Sequence, residues 1–142
     1  MKYNTIQGLE KKISTLILGN DNQTEYDSAA ELWDHWIKVG GNAFDNAHIY
    51  GGGLMEKLLG EWHTKRNNRE SLVIIAKGAH TPNCNPQGVS DQLTESLERL
   101  KIDCADIYIM HRDNIEVPVD QCIDAVKKEK DKGRMKIFEN GR

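Results

Sequence analysis

Nowhere in the 142 residues does an apolar run approach the roughly 18 needed to cross a bilayer, and the opening Met1-Lys2-Tyr3-Asn4-Thr5 is too polar for a secretory signal. Those absences predict a cytoplasmic protein with no membrane partner. Cysteine is scarce. Cys84, Cys104 and Cys122 are odd in number, widely spaced and without a CxxC pair, which argues against a disulfide framework and against a thiolate zinc site. Reduced cysteines used for packing are expected instead. His80 and Cys84 lack further ligands nearby in the sequence, so no metal is expected. A basic excess is also missing. The net charge is -3, and the basic stretch from Lys127 to Lys136 is interrupted by Glu129 and Asp131, so it reads as a solvated helix face with no pull on nucleic acid. Tyr50-Gly51-Gly52-Gly53 has neither the GxGxxG spacing nor the lysine-hydroxyl pair of a P-loop, which weakens a phosphate-cradle reading.

What remains is enough for one globular core, with 38% hydrophobic and 29% charged residues. Short apolar strands alternate with longer amphipathic helices, the pattern of βαβ units around a parallel sheet. Strands are predicted over Ser14 to Gly19, Ala43 to Ala47, Leu72 to Lys77, Ala105 to His111 and Arg134 to Phe138. Two of them, Leu72 to Ala76 and Ala105 to Met110, are nearly continuous apolar runs, as in strands covered on both faces. Helices are predicted from Asp27 to Val39, from about Leu54 to Lys65, from near Val89 with Ser90 as its N-cap, and from Pro118 to Gly133. Trp33, Trp36 and Trp62 fall on helix faces that would pack on the sheet. A small hairpin could precede the first strand, with Tyr3 to Ile6 and Leu9 to Ile13 flanking Gln7-Gly8.

Parallel α/β folds place their chemistry at the carboxyl edge of the sheet. There the predicted strands bring Asp45, with Tyr50 just beyond it, Lys77, and His111. An ammonium beside a phenol favours the phenolate, and a carboxylate beside the lysine keeps the ammonium charged and placed. On this reading Tyr50 gives a proton to a carbonyl oxygen, Lys77 and Asp45 tune it, and His111 orients the carbonyl and stabilises developing oxyanion charge. The hydride must come from a nicotinamide cofactor.

These residues and their surroundings resemble the aldo-keto reductases. Gly41-Asn42-Ala43-Phe44-Asp45-Asn46-Ala47-His48-Ile49-Tyr50-Gly51 is similar to the family's F-D-T-A-x-x-Y-G signature, with Asn46 in place of the usual Thr. Leu93-Thr94-Glu95-Ser96-Leu97-Glu98-Arg99-Leu100, followed by Asp106-Ile107-Tyr108 and His111-Arg112, resembles a second signature, S-L-x-R-L before D-x-Y-x-x-H. Pro118 and Gly133-Arg134-Met135-Lys136-Ile137 match the next helix and strand opening. The resemblance implies an α/β fold, a partial (β/α)8 TIM barrel of the first four to five βα units. It also implies a catalytic tetrad of Asp45, Tyr50, Lys77 and His111.

A complete barrel of this kind takes about 250 residues. Where the family continues with a Gly and a Ser-Asn pair that holds the nicotinamide carboxamide, this chain reads Glu139-Asn140-Gly141-Arg142 and stops. A truncated form is therefore expected. Gly19, Asn20, Asp21 and Asp45 are its candidate cofactor contacts, with NADPH the expected cofactor and NADH possible. The expected substrate is a small-molecule carbonyl compound. Open sheet edges lead to the expectation of a homodimer or of a complementing carboxyl-terminal half. The contrasting expectation is a catalytically inactive fragment, or a piece of a reductase-like regulatory subunit such as those bound to potassium channels.

Overall fold

The computed structural model describes residues 1–140; Gly141 and Arg142, part of the segment that departs from the family pattern, lie outside the described residues. A two-stranded antiparallel hairpin, β1 (Tyr3–Asn4) and β2 (Ile13–Ser14), precedes a five-stranded parallel sheet. The sheet contains β3 (Leu18–Gly19), β4 (Ala43–Asp45), β5 (Val73–Gly78), β6 (Ala105–Met110) and β7 (Met135–Asn140), side by side in chain order. Four helices alternate with these strands: α1 (Tyr26–Lys38), α2 (Leu54–Arg66), α3 (Pro86–Leu100) and α4 (Val119–Asp131). A doubly wound sheet reverses its strand order at a switch point, whereas here each βα unit advances by one strand. That singly wound order is the one that closes into a barrel. No helix is long and apolar enough to cross a membrane, among the described residues.

Alternation along the strands divides the core into two layers. Phe44, Ile74, Ala76 and Tyr108 face the helices and pack with Trp33, Trp62, Leu93 and Leu97. Ala43, Val73, Ile75 and Ile107 face the inside of the curved sheet, where Leu9 and Ile13 cover them. Both faces are therefore dry, which explains the continuous apolar runs of β5 and β6. Trp62 anchors the outer layer: its ring centroid lies 5.6 Å from that of Trp33 and 5.7 Å from that of Phe44, and its Nε1 donates to Asp34 at 2.9 Å.

Several boundaries differ from expectation, and at three of them a particular hydrogen bond marks the difference. The stretch expected as one strand from Ser14 to Gly19 is divided: Ser14 pairs with Tyr3 in the hairpin, and only Leu18 and Gly19 join the parallel sheet. Asn42 causes the break by accepting from the Ser14 amide at 2.8 Å, while the Ser14 hydroxyl donates to the Leu16 carbonyl at 2.7 Å. The hairpin itself has shorter arms than expected, since a turn with Leu9 N–H on the Ile6 carbonyl occupies its middle. Helix α3 begins earlier than Val89, because Asn85 caps it by accepting from the Gly88 amide at 2.8 Å and Pro86 suits the first turn. Ser90 is not a cap; its hydroxyl donates to Glu129 at 3.0 Å. Glu129, in the stretch read as solvated, is buried against Ser90, Lys132 and Arg134.

Helices α2 and α3 approach closely at Gly60, where an added Cβ would stand 2.3 Å from the Arg99 carbonyl oxygen. Alanine would raise helix propensity by about 1 kcal/mol. The obstacle is backbone, however, and cannot rotate aside. Gly60→Ala is expected to be net destabilising, by about 1–3 kcal/mol from overpacking, read as a lower urea midpoint with unchanged slope.

Candidate active site

The inward-facing parity that fills the barrel interior continues, at the carboxyl edge, into polar residues. Ala43 is followed two residues later by Asp45, Ile75 by Lys77, and Ile109 by His111. Adjacent-strand register sets Asp45 opposite Ile75 and Lys77 opposite Ile109, so the three side chains converge from neighbouring strands. Lys77 is one residue inside the end of β5 and His111 one residue past β6, each displaced by a residue from its expected strand end. Tyr50 arrives from a different direction. It opens a tight 3-10 turn, Tyr50–Gly53, in which Gly51, Gly52 and Gly53 have φ of 55°, 62° and 93°. Only glycine adopts three such angles in succession at little cost, and they return the chain into α2 with the tyrosine ring over the sheet edge.

The four side chains form one constellation. Lys77 Nζ donates to Asp45 Oδ2 and to the Tyr50 phenol oxygen, both at 2.8 Å. Because the phenol oxygen accepts from the ammonium, its own hydrogen is free to donate elsewhere. The His111 ring stands edge-on to Tyr50 with centroids 5.9 Å apart, and its Nδ1 has no protein partner among the described residues. Partial burial works against the Lys77 charge, but the hydrogen bonds it donates to Asp45 and Tyr50 outweigh it and raise the pKa above the ordinary lysine value. His111 moves the other way, down to about 4, through burial first and then the charges of Lys77, His80 and Arg112, with Asp45 opposing. A neutral imidazole thus faces the phenol across the physiological range.

This depression carries a testable sign. An unfolded chain takes up a proton on this histidine below its ordinary 6.5, whereas the folded chain takes it up only near 4. Stability from this group is therefore present above pH 6.5 and is lost as pH falls through that window. A two-dimensional NMR titration is expected to give a His111 midpoint near 4. Lys77→Met should move that midpoint upward; a midpoint at the ordinary value in both proteins would remove the electrostatic account.

Of the remaining candidates, Gly19 pairs with Asp45 across the sheet and is exposed, as is Asp21. Asn20 lies between them in the chain. Its side chain is fully buried, with Nδ2 donating to Asn46 Oδ1 at 2.6 Å, so it supports the rim from beneath. The residue at the usual Thr position of the signature, Asn46, is what draws it inward. Sequence reasoning did not foresee His80 at this site: its ring centroid is 4.9 Å from that of His111. The available signal was its position three residues beyond Lys77, two past the end of β5. No group of three or more His, Cys, Asp or Glu side chains is arranged to hold a metal among the described residues.

A singly wound parallel sheet with Asp45, Tyr50, Lys77 and His111 gathered at its carboxyl rim has the order of a partial (β/α)8 barrel. The chain belongs to the aldo/keto reductase family, whose family model matches residues 15–138. It is 31% identical over 115 residues to the aldo-keto reductase str7 of Strobilurus tenacellus, covering 79% of this chain and 34% of that protein. It is 29% identical to the aldo-keto reductase yakc [NADP(+)] of Schizosaccharomyces pombe, over 73% of this chain and 33% of that one. A probable voltage-gated potassium channel subunit beta of Arabidopsis thaliana is 28% identical over 94% of this chain and 44% of its own length. The chain therefore spans between a third and a half of the length of these relatives. The structure of a thermostable aldo-keto reductase, Tm1743, superposes with a TM-score of 0.85 at 27% identity, covering 99% of this chain and 53% of that one. The barrel of those structures confirms the partial (β/α)8 fold expected from the sequence.

Proposed function

We propose that this chain supplies the proton-donating wall of an NAD(P)H-dependent reductase that converts an aldehyde or ketone to an alcohol. The observation that carries the reading is the Lys77 ammonium bridging Asp45 and Tyr50 at 2.8 Å each, which leaves the phenol hydrogen free for a substrate oxygen. Tyr50 donates that proton to the carbonyl oxygen, and Lys77, held by Asp45, stabilises the phenolate left behind. Neutral His111 orients the carbonyl and steadies charge growing on its oxygen. A reduced nicotinamide, when bound, supplies the hydride to the carbonyl carbon. The rim residues fit such a group: open space stands where a Gly19 side chain would be, and Asp21 is exposed beside it. NADPH is the cofactor we favour, in line with the NADP(+) in the yakc relative's name, with NADH the alternative. The proposal places the reaction in the cytoplasm.

A second reading, an interacting subunit without turnover, is favoured by the potassium channel subunit relative, which matches 94% of this chain. In either case β3 and β7 each pair on one side only among the described residues. A second copy or a complementing carboxyl-terminal half would add strands there. The test is a fluorescence titration of the purified chain with NADPH, alone and with a candidate complementing half, followed by reduction of a generic aldehyde. Binding with turnover supports the reductase; binding without turnover supports the subunit reading; no binding at millimolar cofactor in either format overturns the reductase reading.

A further inference from the structure

One side chain from a different βα unit meets the loop that presents Tyr50 both before and after the tyrosine. Arg99, near the end of α3, donates from NH1 to the His48 carbonyl oxygen at 3.1 Å, two residues before Tyr50. The same guanidinium lies against Gly53, three residues after Tyr50, so closely that an added Cβ would stand 2.6 Å from its Cζ. Arg99 thus touches the loop on both sides of the tyrosine. Two carboxylates hold the guanidinium in turn: Glu95 accepts from NH2 at 2.8 Å, and Glu56, fully buried on α2, pairs with NH1 at 3.3 Å. Glu95 also meets His48 Nε2 at 2.7 Å, which closes a ring of contacts from α3 through the loop and back.

Three successive glycines make this segment intrinsically loose, because glycine loses more backbone entropy on ordering than any other residue. Yet the phenol must be held at hydrogen-bond distance from Lys77. We propose that Arg99 is a positioning residue for the reaction, clamping the His48–Gly53 segment from both sides so that Tyr50 stays over Lys77. The proposal rests on the reading of Tyr50 as proton donor. A planar, multiply donating guanidinium is the group suited to this, since it reaches a carbonyl and two carboxylates from one rigid fork. Lysine offers a point charge without the fork.

Removing Arg99 alone would strand the Glu56 carboxylate in the core, so the test uses Arg99→Met combined with Glu56→Gln, beside Arg99→Lys. Amide hydrogen exchange by mass spectrometry is followed for peptides covering residues 46–54 and for β5 and β6. The double variant is expected to exchange at least about tenfold faster in 46–54, as loss of charge-assisted hydrogen bonds predicts, with β5 and β6 unchanged. In the aldehyde assay kcat is expected to fall about 10- to 100-fold with KM nearly constant, and Arg99→Lys to recover part of it. Unchanged exchange in 46–54, or acceleration spread equally over the sheet, overturns the clamp. Tyr50→Phe is run alongside. If it retains full turnover, the proton-donor reading fails by itself, while the exchange data still decide whether Arg99 orders the loop.

Discussion

Tyr50→Phe is expected to lower aldehyde turnover by about two to four orders of magnitude, the range general acid catalysis contributes, while NADPH affinity and the unfolding midpoint stay nearly constant. The asymmetry follows from the contacts. Among the described residues the hydroxyl's one protein hydrogen bond is accepted from Lys77, and Lys77 keeps Asp45 as a partner when the phenol is gone. Phe preserves the ring edge toward His111, so the packing that orders the rim survives. Lys77→Met should lose turnover as well, but for a different reason: the phenolate left after proton transfer would lose the ammonium beside it, and Asp45 would lose the side-chain donor that holds it. Steady-state rates for the two variants, with cofactor titrations in parallel, check both statements. Turnover surviving in Tyr50→Phe within a fewfold of the parent would exclude Tyr50 as the proton source.

The strands that carry this chemistry were legible because their pattern is local. Leu72 to Ala76 and Ala105 to Met110 announce themselves as buried on both faces, and stepping by two residues from Ile75 and Ile109 reaches Lys77 and His111 without any structural knowledge. Asp45 and Tyr50 were legible from the end of the second predicted strand, and again from the resemblance of their segment to a family signature. What escaped was decided by partners far away in the chain. The first strand lost Ser14 to an amide on Asn42, Ser90 left the helix cap for Glu129, and Asn20 turned inward to meet Asn46. None of these pairings has a periodicity to betray it. The start of α3 is the exception, since Asn85-Pro86 is a local cap signal stronger than Ser90. Arg99 stood within the quoted helix signature, but its reach into the Tyr50 loop depends on how α3 crosses the turn before α2.

The amino-terminal end of the sheet, opposite the site, holds the residue whose loss should cost the most stability. Asp106 on β6 is 2% exposed, and its carboxylate joins three parts of the chain. Oδ2 accepts from the Ile74 amide at 2.9 Å and meets Arg69 at 2.8 Å, while Oδ1 meets Lys11 at 3.0 Å. Lys11 and Arg69 also both donate to the Leu72 carbonyl, and Arg69 reaches the Cys104 carbonyl, so the cations cannot swing into water without releasing backbone groups. Asp106→Ala would leave two partly buried cations and one buried amide unmatched. Breaking a buried pair in this way costs about 3–5 kcal/mol, a large share of the 5–15 kcal/mol that typically holds a domain together. Asp106→Asn keeps an acceptor for Ile74 but not the charge, so an intermediate loss is expected. Urea denaturation followed by far-ultraviolet circular dichroism would rank parent, Asn and Ala in that order. A shift for Asp106→Ala below about 1 kcal/mol, the scale of an exposed pair, would mean that the cations are solvated in solution and that the hairpin is not tied to the sheet through this carboxylate.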